Sequence, residues 1–451
     1  MRLAKKIWFG IAALIVLPLA AILLINAFDE KLDPKLETYG MPRAPKVADA
    51  ENGYYALIGL SAPDGADTVA YAKAWVAEAR AAAKENRLEN RGNDGDKRAK
   101  RPALCDVRAV SCFAIVRADP DGIKALIEAY REDLERYERL IAHTHYEEVL
   151  DYPLRVVTSF PGFGAASAAQ RAYLLRAMLA AEAGRVEEAV AAIERDIAFQ
   201  RVMLAGARTL IGKMVAASNY TRDLELVSDL IQTHGAGLTP ALSRLRAMLG
   251  RIDPAALQLA EAAEIEFAFI RAGIRDPLGA MYAAHGGHGL LESIAVKFLH
   301  KPNASIHRAH QDFMQAWKEV GVPAGELAAS AGKKIDAPKM TFWDYVDNPL
   351  GNHLRSIGNP DESVGRYALR LHDLDGLNRL IGLRVEILAA GVSADTAGEY
   401  AAKSDARFHD PYMQKPMAWN SANNQLSFKA HGRGAAHRSF NAATGTVFVR
   451  L

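Results

Sequence analysis

Cysteine is almost missing from this chain of 451 residues: only Cys105 and Cys112 occur. A zinc site would need two further ligands nearby, and no histidine stands between Asp29 and Ala142. An excess of one charge is missing too. Lys and Arg number 55 against 53 Asp and Glu, a formal net of +2, so nothing calls for a nucleic-acid partner. The sequence has no GxSxG, no HExxH and no cysteine left over as a nucleophile, which removes the commonest hydrolase signatures. Wholesale disorder is excluded by what is abundant: 50% hydrophobic and 24% charged residues make an ordinary globular composition.

The long hydrophobic run from Ile7 to Phe28 (IWFGIAALIVLPLAAILLINAF) contains no charge. A bilayer core about 30 Å thick is crossed by roughly 20 helical residues rising about 1.5 Å each, so the run is long enough to span. Arg2, Lys5 and Lys6 precede it, and Asp29 and Glu30 follow. Basic flanks stay inside, which predicts a cytoplasmic N-terminus and an exported body. A cleaved signal peptide is the competing reading. Its apolar region is about 7–15 residues long and ends at a small-x-small site, whereas bulky Ile25 stands at that place here. Pro18 lies mid-span, where a bilayer helix tolerates a kink. The pseudopilin pattern fails, because Ile15 rather than glutamate is fifth from Gly10. On the exported side Cys105 and Cys112 are expected to form a disulfide worth about 2.5 kcal/mol.

Residues 1–28 are therefore a cytoplasmic tip and transmembrane anchor, and the proline-bearing, aperiodic 29–50 a tether. An N-terminal lobe with the disulfide is expected over 51–160. It opens with Asn52–Leu60, a strand or a first helical turn, and a helix from about Asp67 to Ala83 follows. Arg80 to Arg101 mixes both charges and is expected to be a solvated loop, with a basic patch for anionic lipid or glycan as the alternative. Asp119-Pro120 starts the clearest amphipathic helix, through Ile141. A helical domain is expected over 161–320. Within it Leu175, Ala181, Gly184, Ala189 and Ile193 fit one tetratricopeptide-like hairpin, and no second unit recurs. Asp253-Pro254 is expected to open a helix. Residues 321–405 hold a linker and C-terminal helices. The Gly325–Lys333 segment is not a phosphate loop, since its spacing is wrong and Lys334 replaces Ser or Thr. Phe342, Trp343 and Tyr345 are expected to seal a core rather than bind sugar. A helix from about Asn359 to Ala390 ends at Gly391. Over 406–451 the period switches to two at Met417–Trp419, Leu426–Phe428 and Val447–Leu451, predicting two or three antiparallel strands packed on the preceding helix.

Candidates for chemistry are few. Glu261 and Glu264 share a helix face, and a buried pair would make one a general acid; the alternative is a surface face paired with Arg271 or Arg275. His285, His288, His307 and His310 are the best place to suspect a metal, without a typical carboxylate partner. No cofactor is expected.

Several segments carry a resemblance: the Asn52-Gly-Tyr-Tyr-x-Leu-x-Gly59 run, the Cys105/Cys112 pair followed by the Ile123–Ile141 helix, and the Arg171–Ile231 helices. They resemble a group of uncharacterised proteobacterial proteins with one N-terminal membrane span and an exported helical body. The tail Asp410-Pro-Tyr-Met-Gln-Lys-Pro416 is similar to the DPxTxxP-type endings of exported bacterial proteins, with Met413 for Thr and Gln414 for Gly. The resemblance implies a single-pass protein of the bacterial inner membrane with a periplasmic body, and no activity. The expected fold is mainly α: an N-terminal transmembrane helix, a helical-hairpin body that is tetratricopeptide-like at most, and a small antiparallel β tail. The expected role is interaction or scaffolding in the cell envelope. Its partners would be the inner membrane, through Ile7 to Phe28, and another envelope protein, with no nucleic acid. A carboxylate-dependent glycan hydrolase and a histidine-based metal binder are the alternatives.

Overall fold

The computed structural model describes residues 14, 16–41, 43–85, 101–150, 154, 160–279, 289–317, 321–330, 340–357, 363–432 and 437–451. In chain order the helices are α1 (16–26), α2 (Pro34–Thr38), α3 (Gly53–Gly59), α4 (Thr68–Glu85), α5 (Phe113–Ala118), α6 (Pro120–Glu128), α7 (Arg131–Ile141), α8 (Phe163–Glu182), α9 (Val186–Gly206) and α10 (Leu210–His234). A 3-10 turn leads to α11 (Leu242–Met248), then come α12 (Ala260–Arg275), α13 (Leu290–Leu299), α14 (Pro302–Trp317), α15 (Ala324–Ser330), α16 (Pro349–Ile357), α17 (Ser363–Ala389) and α18 (Ala394–Ala402). Strands β1 (Ala418–Asn420), β2 (Gln425–Lys429), β3 (Phe440–Asn441) and β4 (Thr446–Arg450) close the chain.

The hairpin of α8 and α9 is the centre of the body. Gly184 makes its turn with φ +80°, a left-handed conformation that L side chains resist, and Arg185 N–H returns to the Ala180 carbonyl at 2.9 Å. Helix α10 packs on both, and Tyr173, Leu175, Val190, Ile193, Leu204, Tyr220 and Leu224 are fully enclosed between them. Helix α17 lies against α10 and α11 and is buried on more than one face, for Leu380, Leu383 and Ile387 are inside as well as Leu371 and Ile381. It stops where expected: Gly391 has φ +64° and Val392 N–H bonds back to the Ile387 carbonyl. The four strands run antiparallel in the order β1-β2-β4-β3, with Leu426 opposite Val449 and Phe428 opposite Val447. These four side chains face α17, where a Cβ on Gly376 would lie 2.4 Å from the Phe428 ring. The expected sheet gains one strand, Phe440–Asn441, too short to show a period.

Other expectations shift. Asn52–Gly59 is a helix start: Asn52 caps α3 by accepting Tyr54 N–H and holds Glu147 through both its backbone groups. The single helix expected from Asp119 to Ile141 is two. Its chain bends at Tyr130 (φ −107°, ψ 12°), whose buried ring sends its hydroxyl to the Pro102 carbonyl. Helix α12 begins at Ala260, not at Pro254, because 254–257 forms a turn whose Ala256 carbonyl accepts the buried Lys213 ammonium. Helix α15 lies within the expected linker, seated by buried Leu327. Cys105 and Cys112 are bonded, with Cα atoms 6.1 Å apart.

The segment read as a free tether is docked. Arg271 of α12 donates to the carbonyls of Leu36 and Tyr39, Arg275 pairs with Glu37, and Tyr39 stacks edge-on against Phe267 and His310. The two arginines expected to pair with Glu261 and Glu264 hold this segment instead. Among the described residues no helix is long and apolar enough to cross a membrane. Of the expected span, residues 7–13 and Ile15 lie outside them.

Candidate functional site

An open cleft of about 540 Å³ lies between the end of α17, α18 and the turn after it. The chain reverses at Gly391, runs back as α18, and turns again at Asp405, whose carboxylate accepts Arg407 N–H at 2.8 Å. These reversals leave buried Leu383 and Phe408 and half-buried Val392 and Tyr400 along the cleft, with Glu399, Lys403 and Asp405 at its rim. Glu386 is already neutralised, by Arg246 at 2.8 Å and Arg407 at 3.2 Å, and the Arg407 guanidinium lies over the Phe408 ring. Four apolar or aromatic side chains among mixed polar and charged ones suit an amphipathic segment better than a phosphate or a metal ion.

Glu261 and Glu264 do not come together as a buried pair. Glu264 is exposed, while Glu261 accepts the guanidinium groups of Arg43 and Arg208, each at 2.8 Å. Burial acts to raise the Glu261 pKa, but the two arginines outweigh it and hold the carboxyl below the usual range. A general acid needs the opposite shift. Of the histidines, His285 and His288 lie outside the described residues. His307 uses both ring nitrogens: Nδ1 contacts Glu30 and Nε2 accepts Asp33 N–H at 3.0 Å. His310 is packed between Tyr39 and Phe267, and burial lowers its pKa. Among the described residues no three His, Cys, Asp or Glu side chains are placed to hold a metal ion.

The strongest electrostatic feature was not singled out from the sequence. Asp196 of α9 and Asp223 of α10, both with no exposed surface, lie close enough in the centre of the hairpin to perturb each other's ionisation. Asp196 also accepts the Tyr137 hydroxyl at 2.7 Å and the Gln200 amide at 2.9 Å, and Asp223 accepts Gln170 at 3.0 Å. Burial raises both carboxyl pKa values, and the charge of Asp196 raises that of Asp223 further, which favours the neutral form of Asp223. Paired carboxyls with raised pKa values also occur in catalytic dyads, but this pair is sealed from substrate. Asp196 falls three residues after Ile193, on the Val190–Ile193–Ile197 stripe, and a carboxylate on an apolar stripe is the signal that marks it. Elsewhere on α10, burial pushes the Lys213 ammonium down to about 8; it donates to the Leu204 and Ala256 carbonyls. Asp106, inside the disulfide loop, contacts Arg108 at 2.7 Å and Arg222 at 3.3 Å; burial opposes its ionisation, yet the arginines hold it well below the usual range.

No family model, curated protein or solved structure matches the chain.

Proposed function

We propose that the chain is a single-pass membrane protein whose helical body stands on the periplasmic side of a bacterial inner membrane and acts as an interaction or scaffold protein of the cell envelope. One observation carries the membrane reading. The described part of the Ile7–Phe28 run leaves its apolar side chains uncovered: Leu14 is 79% exposed, Leu17 68%, Leu24 66% and Phe28 73%. A row of this kind facing water is costly by about 25 cal/mol per Å² of apolar surface, and lipid removes that cost. The Cys105–Cys112 bond supports the exported side, where disulfides persist.

The interaction role is supported by the α17–α18 cleft, whose mixed lining of apolar and charged side chains matches an amphipathic segment. The carboxyls expected to serve a glycan hydrolase form no pair, since Glu261 is held by Arg43 and Arg208 while Glu264 is exposed. Reporter fusions after Leu451 test the topology. Alkaline phosphatase should be active and a cytosol-dependent fluorescent protein dark. The reverse pattern would overturn the reading.

A further inference from the structure

The end of α1 is fastened to the body rather than hung from it. The Asn26 side chain, 7% exposed, donates to the Val346 carbonyl at 2.7 Å and accepts Asn348 N–H at 2.7 Å. Three residues on, Asp29 caps α14 by accepting the N–H groups of Asn303 at 2.7 Å and Ala304 at 3.2 Å, and the Glu30 carbonyl accepts the Asn303 amide. Phe28, between these two clamps, is 73% exposed. If α1 continues into lipid, the bilayer surface must lie against the body near residues 26–30.

The body presents apolar groups at that place. The turn just before Val346 carries Phe342 (75% exposed), Trp343 (66%) and Tyr345 (62%), aromatics that the sequence predicts inside a core. Thr341 and Asp344 form a reciprocal capping box that closes the turn from its polar side and leaves the rings outward. Helix α13 packs on α16, as this turn does, and its LLESIAVKFL sequence leaves Leu290, Leu291, Ile294 and Phe298 exposed with no buried residue. Both features thus share α16 as a support, and the turn adjoins Val346, to which the root of α1 is tied. Scattered exposed apolar residues are normal, but a cluster continuous with an uncovered apolar helix marks a surface for a nonaqueous phase.

We infer that the Phe342–Tyr345 turn and helix α13 form a membrane-interface foot that seats the body flat on the bilayer around the root of its own anchor. The occupant is the headgroup–acyl boundary of the same leaflet. Trp and Tyr favour that depth because a ring can sit in the acyl region while its polar atom stays wet. A short amphipathic helix lies in the same plane with Leu and Phe downward. The clamps at Asn26 and Asp29 fix the angle at which the body meets lipid, so the foot is held at the surface instead of swinging on a linker.

This inference rests on the anchoring reading, and tryptophan quenching separates the two. The full chain is reconstituted in vesicles of phosphatidylethanolamine and phosphatidylglycerol, with or without lipids brominated near the headgroup and, separately, along the acyl chain. Trp343→Phe and Trp8→Phe variants assign the emission lost at each position. The expected result is loss of most Trp343 emission with the shallow quencher and of Trp8 emission with either depth. Quenching of Trp8 with Trp343 untouched would overturn the foot and leave the anchor standing. Silence of both would overturn the anchor and the foot with it. If Leu290→Ser/Leu291→Ser/Ile294→Ser left Trp343 quenching unchanged, α13 would be no part of the foot.

Discussion

Two regions of this molecule break the rule of apolar inside and polar outside, and they break it in opposite directions. Between α8, α9 and α10 the chain buries Asp196, Asp223, Gln170, Gln200 and Tyr137 with almost no exposure. Around the root of α1 it exposes Leu14, Leu24, Phe28, Leu290, Phe342 and Trp343. The first breach is repaired in large part within the chain, since Tyr137 and Gln200 donate to Asp196 and Gln170 donates to Asp223, although Oδ2 of each carboxyl finds no hydrogen-bond partner among the described residues. The second has no repair in the described residues. A buried polar group needs only a partner, and the same helix bundle can supply one. An exposed apolar surface needs another phase, and that has to come from outside the protein.

Four experiments press on this contrast, in order of expected effect. Leu17→Arg places a charge near the middle of the proposed span at a cost of about 3 kcal/mol. The full chain should then leave the membrane band in a flotation gradient, while near-neighbour Leu→Val changes leave it there. Cys105→Ser/Cys112→Ser should lower stability by about 2.5 kcal/mol in a urea melt of the detergent-solubilised chain and free the Asp106 loop from α10. Tyr137→Phe removes one donor from the inner carboxyl pair and should cost about 2 kcal/mol by the same melt. Arg407→Ala, at the exposed edge of the cleft, should cost only about 0.5 kcal/mol, because half-exposed ion pairs contribute little.

The inner region also fixes a sign for pH dependence. Asp196 and Asp223 have carboxyl pKa values raised in the fold, so their contribution is present at low pH and is lost as pH rises through the raised values. Asp373 behaves alike: burial pushes it up to about 6 from an ordinary 3.8, although Tyr412 and two backbone N–H groups stabilise its charge. Its share is complete below pH 3.8 and is lost as pH rises through about 6. Denaturant melts from acid to neutral pH should therefore show falling stability from these sites. Asp223→Asn, which replaces one of the two buried ionisable carboxyls with a neutral group of the same shape, should flatten part of that fall.

Much of the architecture was legible because it is periodic. The strands at Met417–Trp419, Leu426–Phe428 and Val447–Leu451 announce themselves by alternation, Gly184 and Gly391 by the turns they permit, and the disulfide by having no other pairing available. Long-range polar contacts were not legible. Nothing near residue 30 says that Arg271 and Arg275 will hold it, so a docked segment reads as a tether. Tyr130 bends a helix for the sake of the Pro102 carbonyl, a partner 28 residues away. Phe342, Trp343 and Tyr345 read as core because hydrophobicity gives no direction; the Thr341–Asp344 box that turns them outward is visible only in three dimensions. Asp196 was within reach, as a carboxylate on an otherwise apolar stripe.

The central proposal is that lipid, not water or another part of the chain, covers the Ile7–Phe28 run. Washing membranes that carry the full chain at alkaline pH tests it directly, since peripheral proteins are released and spanning ones stay. The account predicts the whole chain in the pellet. Recovery of the intact chain in the wash would contradict it.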